Sequence, residues 1–209
     1  MKPETNRLIA LILALVVAGG VVTAGALFVA GGRPKTISAG TASIGGPFTL
    51  TAADGSTVSD RTYRGKWQII FFGYTNCPDA CPLALSKLSV ALEKLGPDAS
   101  KLQALFITID PERDTQQALS DYLKSFDSRI VGLTGSKAQI DYVAKEFRVY
   151  VAPQKSSDSK DYVVDHSAYF YLMDPRGDFV NVLAPDLSGE AIADRLRKEM
   201  SLSSLWGGK

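Results

Sequence analysis

Cysteine and histidine are scarce in this 209-residue chain, which has two of the first, Cys77 and Cys81, and one of the second, His166. Any thiol or soft-metal chemistry must run through those three side chains. A closed structural zinc site usually takes four Cys or His ligands, so it is excluded here unless Asp79 supplies an unusual fourth. An excess of charge is also missing. Lys and Arg number 23 against 22 Asp and Glu, for a formal net charge of +1. That balance lacks the basic surplus of a nucleic-acid binder. No internal repeat is present, and the length suits one ordinary domain with an appendage.

Charge is absent altogether from one stretch. The 22 residues 8–29 read LIALILALVVAGGVVTAGALFV, and nothing charged lies between Arg7 and Arg33. A helix of that length would rise about 33 Å, enough to cross a hydrocarbon core of roughly 30 Å. A cleaved signal peptide is the alternative, with Ala24-Gly25-Ala26 as the cleavage site, but its apolar core usually runs about 7–15 residues. The expectation is a retained transmembrane anchor over 8–30 behind a cytoplasmic or matrix tail, 1–7. Lys2 and Arg7 precede the span while Arg33 and Lys35 follow it, so the positive-inside count is nearly tied. The short basic tail favours export of the rest. Residues 31–46, rich in Gly, Ser, Thr and Ala, read as a flexible tether, and 47–209 as the folded domain.

Within that domain, strand-like and helix-like runs alternate. Phe48 to Thr51 alternates apolar and polar, Asp54-Gly55 signals a turn and Thr57-Val58 resumes, which predicts an N-terminal hairpin. The apolar run 67–72 suits a strand buried on both faces. Leu85, Leu88, Leu92 and Leu95 recur at helical spacing until Gly96-Pro97 stops them. A second buried strand spans 102–109. A helix follows through Leu119, Tyr122, Leu123 and Phe126, with Asp114 as its expected cap. A third strand covers 130–133, and Ser136 is expected to cap a helix through Ile140, Val143 and Phe147. Residues 154–161 read as a polar, solvated loop. Strands over 168–173 and 179–183 flank the turn Asp174-Pro175-Arg176-Gly177, and Ser188 opens a last helix. This order describes an α/β sandwich of thioredoxin type, preceded by the hairpin and the transmembrane helix.

Cys77 and Cys81 fall where the first buried strand gives way to the first long helix, in Phe72-Gly73-Tyr74-Thr75-Asn76-Cys77-Pro78-Asp79-Ala80-Cys81-Pro82. Unpaired N–H groups and the positive dipole end of a helix N-terminus favour thiolate over thiol. Pro78 fits the first helical position, where a missing N–H costs nothing. The Cys-x-x-x-Cys spacing puts both residues on one helix face about 6 Å apart, within reach of a disulfide or of one shared metal. Spacing alone does not choose between them. Two thiolates and an imidazole form a low-coordinate set suited to Cu(I), or to Cu(II) with an added ligand.

A lone histidine near a strand is more often a hydrogen-bonded structural residue than a ligand. His166 stands out because it is the only one and because it precedes the strand 168–173. In thioredoxin-like folds the loop before that strand faces the cysteine helix and usually presents a proline; here it reads Asp165-His166-Ser167. Asp79 and Asp165 are candidates to support the ligands from behind. Asp110-Pro111-Glu112-Arg113-Asp114 has the look of an active-site loop, although Asp114-Thr115 also reads as a helix start and Arg113 as a partner of Glu112. Met173 reads as core, and Tyr74 as flanking the site or simply packing.

Four ordered motifs resemble the Sco/SenC family: Phe72-Gly73-Tyr74-Thr75-x-Cys77-Pro78-Asp79-x-Cys81-Pro82, then Phe106-Ile107-Thr108-Ile109-Asp110-Pro111-Glu112-Arg113-Asp114-Thr115, then Leu133-Thr134-Gly135, then Asp165-His166-Ser167. The similarity runs over about 46–184. It implies a thioredoxin-like copper protein that assists assembly of the CuA centre of cytochrome c oxidase, with Cys77, Cys81 and His166 as copper ligands. It also implies a single-pass protein facing the bacterial periplasm or the mitochondrial intermembrane space, with oxidase subunit II or its assembly factors as partner. Many relatives carry His where this chain has Asn76. That position is not a family ligand, but its change argues against copper relay through a second imidazole.

Three functions compete. A metallochaperone would hold copper on soft ligands and pass it on by ligand exchange. A thiol–disulfide oxidoreductase would cycle a Cys77–Cys81 disulfide to reduce the cysteines of an apo copper site. A peroxidase lacks the Pro-x-x-x-Thr-x-x-Cys run it would need. No catalytic residue beyond the redox pair is expected.

Overall fold

The computed structural model describes residues 44–154 and 163–206. The expected anchor over 8–30 and most of the loop 154–161 lie outside them. Among the described residues no helix is long and apolar enough to cross a membrane.

The described fold opens with the hairpin. β1 (Thr49–Ala52) pairs antiparallel with β2 (Thr57–Ser59) across a turn in which Gly55 adopts φ of 86°, a conformation that favours glycine. The Asp54 carboxylate accepts both the N–H and the hydroxyl of Ser56, at 2.9 and 2.7 Å, closing that turn.

β3 (Trp67–Gly73) is buried along its whole length, as an apolar run sandwiched on both faces must be. α1 (Ala80–Leu95) follows, with Cys81, Leu85, Leu88, Leu92 and Leu95 on its buried face, and a short 3-10 turn, Gly96–Lys101, ends it at the Gly-Pro pair. β4 (Leu102–Thr108) then pairs parallel with β3, setting Gly73 opposite Thr108. α2 (Gln116–Leu123) leads to β5 (Ile130–Thr134), parallel to β4. Ser136 caps α3 (Lys137–Glu146) in a full capping box with Gln139, as its sequence indicates. A two-stranded ribbon comes next, β6 (Val151–Gln154) antiparallel to β7 (Val163–His166). β8 (Phe170–Met173) and β9 (Phe179–Leu183) form the last hairpin, and α4 (Gly189–Trp206) closes the domain behind Ser188, whose hydroxyl accepts the Ala191 N–H at 3.2 Å.

The main sheet has seven strands in the order β2-β1-β5-β4-β3-β8-β9, and the ribbon stands apart from it. Successive residues of β3 face opposite sides. Phe71 packs on Phe106 and Phe170, whereas Phe72 packs on Phe147 and Tyr171. Met173 is buried, as expected of core.

Four local readings are corrected. Thr115, not Asp114, caps α2, its hydroxyl accepting the Ala118 N–H at 3.2 Å; the Asp114 carboxylate is drawn inward by partners distant in sequence. Pro78 precedes the helix and is not its first residue. Residues 74–77 close their own turn through Cys77 N–H on the Tyr74 carbonyl at 3.3 Å, so the helix begins two residues later. Pro82 occupies the first turn instead, where its missing N–H is harmless. Arg113 pairs with Asp110 across a tight turn, not with Glu112. The strand expected over 168–173 begins at Phe170, and His166 ends a ribbon that four-residue strands were too short to announce.

α1 and α4 approach closely at Gly189. A Cβ placed there would lie 2.6 Å from the Cβ and Cγ1 of Val90 and 2.7 Å from the Lys87 carbonyl oxygen. Gly→Ala in a helix ordinarily stabilises. Here Gly189→Ala is expected to cost about 1–3 kcal/mol through overpacking, read by urea unfolding. An unchanged or raised midpoint would show that the helices separate without cost.

Candidate metal centre

The site sits at the ends of β3 and β7 and in the first turn of α1. The buried Cys81 sulfur packs against the end of β3, where Gly73 supplies the space. A Cβ on Gly73 would come within 2.9 Å of the Cys81 sulfur and 2.8 Å of the Phe106 ring. Gly73 was part of the recognised motif, but its reason lies in this contact. A glycine ending an otherwise bulky strand was the available signal.

Cys77 is half-buried in the turn before α1, and the backbone N–H of Cys81 donates to its sulfur at 3.4 Å. His166 arrives from the ribbon, its Nε2 3.5 Å from the Cys81 sulfur. The two sulfurs and the imidazole nitrogen all lie within 4.8 Å of one another, and both cysteines are free thiols. The three candidate ligands expected from the sequence are thus gathered at one point. The Nδ1 of His166 lies 3.2 Å from the Ser167 carbonyl oxygen. That oxygen only accepts, so when the imidazole is neutral its proton sits on Nδ1 and its Nε2 lone pair faces the sulfurs. Tyr74 does flank the site. Its ring meets the imidazole edge-on at 6.0 Å, as the Phe71 ring does at 6.1 Å, and its hydroxyl accepts the Val164 N–H at 3.2 Å.

The two sulfurs are not equivalent. The Cys77 thiol is pulled down to about 5, first by the hydrogen bond from the Cys81 side chain, then by the N–H groups of Cys81 and Asp79 and by the charge of His166; burial opposes them. These N–H groups belong to the unpaired start of α1, the effect the helix position implies. Cys81 is shifted upward because it donates its proton to Cys77 and because it is buried. One proton is shared between two sulfurs, and it stays with the inner one.

Asp79 contributes through its backbone; its exposed carboxylate makes no capping bond. Asp165 is exposed, and strand alternation turns it to the ribbon face opposite His166. Asn76 is exposed beside the cysteine turn, its side-chain oxygen 3.3 Å from the Thr75 hydroxyl oxygen, whose proton goes to Asp114 at 2.6 Å.

A thioredoxin-like α/β domain that gathers two cysteines and a histidine at the head of its first helix defines a class, the thiol proteins that handle soft metals or disulfides. Within that class, a model of SCO1/SenC matches residues 37–201, and the chain belongs to the SCO1/SenC family. Protein SCO1 homolog 1, mitochondrial, from Arabidopsis thaliana is 43% identical over 164 residues, 78% of this chain and 49% of that protein. The chain spans about half the length of the curated relatives it matches. The structure of Bradyrhizobium japonicum ScoI with copper bound is 44% identical, with a TM-score of 0.70 over 74% of this chain and 98% of that one. BsSco, a member of the Sco family of cytochrome c oxidase assembly proteins in which a disulfide switch has been identified, is 22% identical with a TM-score of 0.63 over 78% of this chain and 95% of its own, a likeness of fold.

The asymmetry of the sulfurs has a direct consequence. In the reduced, metal-free protein, iodoacetamide is expected to modify Cys77 with a half-maximal rate near pH 5, while Cys81 reacts only on unfolding. Equal labelling of both residues with a midpoint near 8.5, the ordinary thiol value, would refute the shared proton. Because folding depresses this pKa, the contribution of Cys77 is full above about 8.5 and is lost as pH falls through about 5.

Proposed function

We propose that this protein binds one copper ion through Cys77, Cys81 and His166 and delivers it during assembly of cytochrome c oxidase, to the CuA site of subunit II. The observation that carries this reading is the convergence of two sulfurs and an imidazole nitrogen within 4.8 Å. The donor set fits the cargo: thiolates select soft Cu(I), imidazole suits either copper state, and three donors leave room for the added ligand Cu(II) prefers. A copper-bound structure of a family member 44% identical supports it further.

The chain's own residues account for both holding and release. Cys77 presents a thiolate without prior loss of a proton at neutral pH. Cys81 anchors the inner side from the rigid start of α1, and the Ser167 carbonyl keeps the imidazole turned toward the sulfurs. Cys77 and His166 are only partly buried, so the site is open to an acceptor whose thiolates replace these ligands one at a time.

A second reading rests on the same asymmetry. A partly exposed thiolate beside a buried thiol is the arrangement of a disulfide reductase. The Cys77 thiolate would attack one sulfur of an acceptor disulfide, releasing the other as thiolate. Cys81, losing its proton, would then attack the Cys77 sulfur and free the second acceptor thiolate. The acceptor gains two electrons and the chain keeps a Cys77–Cys81 disulfide. Reduction of the CuA cysteines this way would prepare the site that copper then enters.

His166→Ala separates the readings. Copper loses a whole ligand, so affinity should fall by more than the roughly 10–100-fold typical of groups behind the ligands, and the Cu(II) spectrum should change. The disulfide should still form and be reducible, since exchange needs no imidazole. Cys77→Ser or Cys81→Ser should abolish tight Cu(I) binding. Unchanged copper affinity in His166→Ala together with vigorous reductase activity would make the oxidoreductase reading the correct one.

The same proposal places residues 8–30 as a single-pass anchor, 31–46 as tether, and the domain from 47 onward in the periplasm or the mitochondrial intermembrane space. The full chain should then resist carbonate extraction, with the domain open to protease from the outer side. A mature chain beginning near Leu27 would replace the anchor with a cleaved leader.

A further inference from the structure

Asp114 is a buried carboxylate that the chemistry above leaves unused. Its side chain is closed off from solvent and lies where the three parallel strands end, beside Thr108 at the end of β4 and Thr134 at the end of β5. Oδ1 accepts the Thr75 hydroxyl at 2.6 Å. Oδ2 accepts the Thr108 hydroxyl at 2.6 Å and the Thr75 backbone N–H at 3.1 Å. The Asp114 backbone is held as well, its carbonyl accepting the Thr134 hydroxyl and its N–H donating to the Asp110 carbonyl, each at 2.9 Å.

Burying a carboxylate is costly unless it is hydrogen-bonded, and bonds to a charged acceptor are roughly twice as strong as neutral ones. Nothing local calls for an acid here, because Thr115 already caps α2. Two of the three donors to the carboxylate come from Thr75, 39 residues away in the chain. Thr75 stands two residues before Cys77, inside the turn that Cys77 N–H closes on the Tyr74 carbonyl. With its N–H and hydroxyl both held, Thr75 cannot shift without breaking two bonds to a buried acceptor. The turn therefore starts from a fixed point, and the Cys77 sulfur arrives where the Cys81 N–H meets it.

We propose that Asp114 is a positioning residue of the copper site, acting through Thr75 to hold the cysteine turn at the separation from Cys81 and His166 that three-ligand binding needs. This deepens the copper reading and, for its affinity arm, rests on it. Asp114→Asn keeps the shape but places a donor where an oxygen now accepts, so the three present donors cannot all keep their bonds. The full-length variant in detergent is expected to lose Cu(I) affinity by about 10–100-fold, the range for groups behind a metal's ligands. Hydrogen exchange on the reduced, metal-free protein supplies a second readout. The amides of Thr75 and Cys81, the latter reporting the Cys77 sulfur, should lose protection while those of β3 and α4 keep theirs. Thr75→Val should reproduce both effects, and Thr75→Ser should restore both.

Wild-type affinity and protection in Asp114→Asn would overturn the proposal. So would a uniform loss of protection across the domain in both Asp114→Asn and Thr75→Val, which would make the carboxylate a staple of the fold alone. If Asp114→Asn fails to fold, Thr75→Val decides: normal affinity and normal Cys81 protection there reject the proposal. A wild type that takes up no Cu(I) defeats the copper reading instead, and the exchange arm still reports whether Asp114 holds the cysteine turn.

Discussion

The Cys81 sulfur lies against a strand end that has no side chain, and much of the site follows from that contact. Gly73 lets the first turn of α1 settle onto the end of β3, where any Cβ would strike both the sulfur and the Phe106 ring. Parallel pairing of β3 with β4 sets Gly73 beside Thr108 and thereby brings the loop after β4 to the same edge. Once α1 is seated there, its unpaired N–H groups converge on the preceding turn, and Cys77 receives them. The inner sulfur is buried by the same packing that positions the outer one.

The three ligand atoms come from separate elements of unequal rigidity. Cys81 belongs to a sixteen-residue helix seated in the core, Cys77 to a turn, and His166 to a ribbon outside the main sheet. The bond from Val164 N–H to the Tyr74 hydroxyl ties the histidine strand to the first residue of the cysteine turn. Only one of the three, Cys81, is deeply buried. Under the delivery role proposed for this site, the partial exposure of Cys77 and His166 would let an acceptor compete for the ion.

Much of the framework was legible because it depends on short-range regularity. The continuous apolar run of β3, the leucine spacing of α1, the Asp54-Gly55 turn and the Ser136 cap each express a preference confined to a few neighbouring residues, and each appears as read. The failures share a cause. Asp114 followed by Thr115 looks like a cap, but a bond to Thr75 outweighed the local choice. Pro78 looks like a helix start, but the turn at 74–77 postponed the helix. β6 and β7 are four residues each and gain their stability from one another, so neither has a signature alone.

The sequence by itself determined which chemistry was available. With two cysteines and one histidine in the chain, and the cysteines four apart at a strand-to-helix junction, a soft-metal or disulfide site was the natural reading. Spacing did not by itself set the two cysteines on one helix face, because Cys77 lies in the turn before α1 and only Cys81 belongs to the helix. Only the tertiary structure decided that His166, 85 residues beyond Cys81, brings its Nε2 to 3.5 Å from that sulfur. It also decided that the shared proton stays on the inner cysteine, and that Asp114 turns inward to Thr75. Local periodicity constrains neighbours along the chain. It holds no information about which strand end will face which helix, because that depends on packing every element against one core.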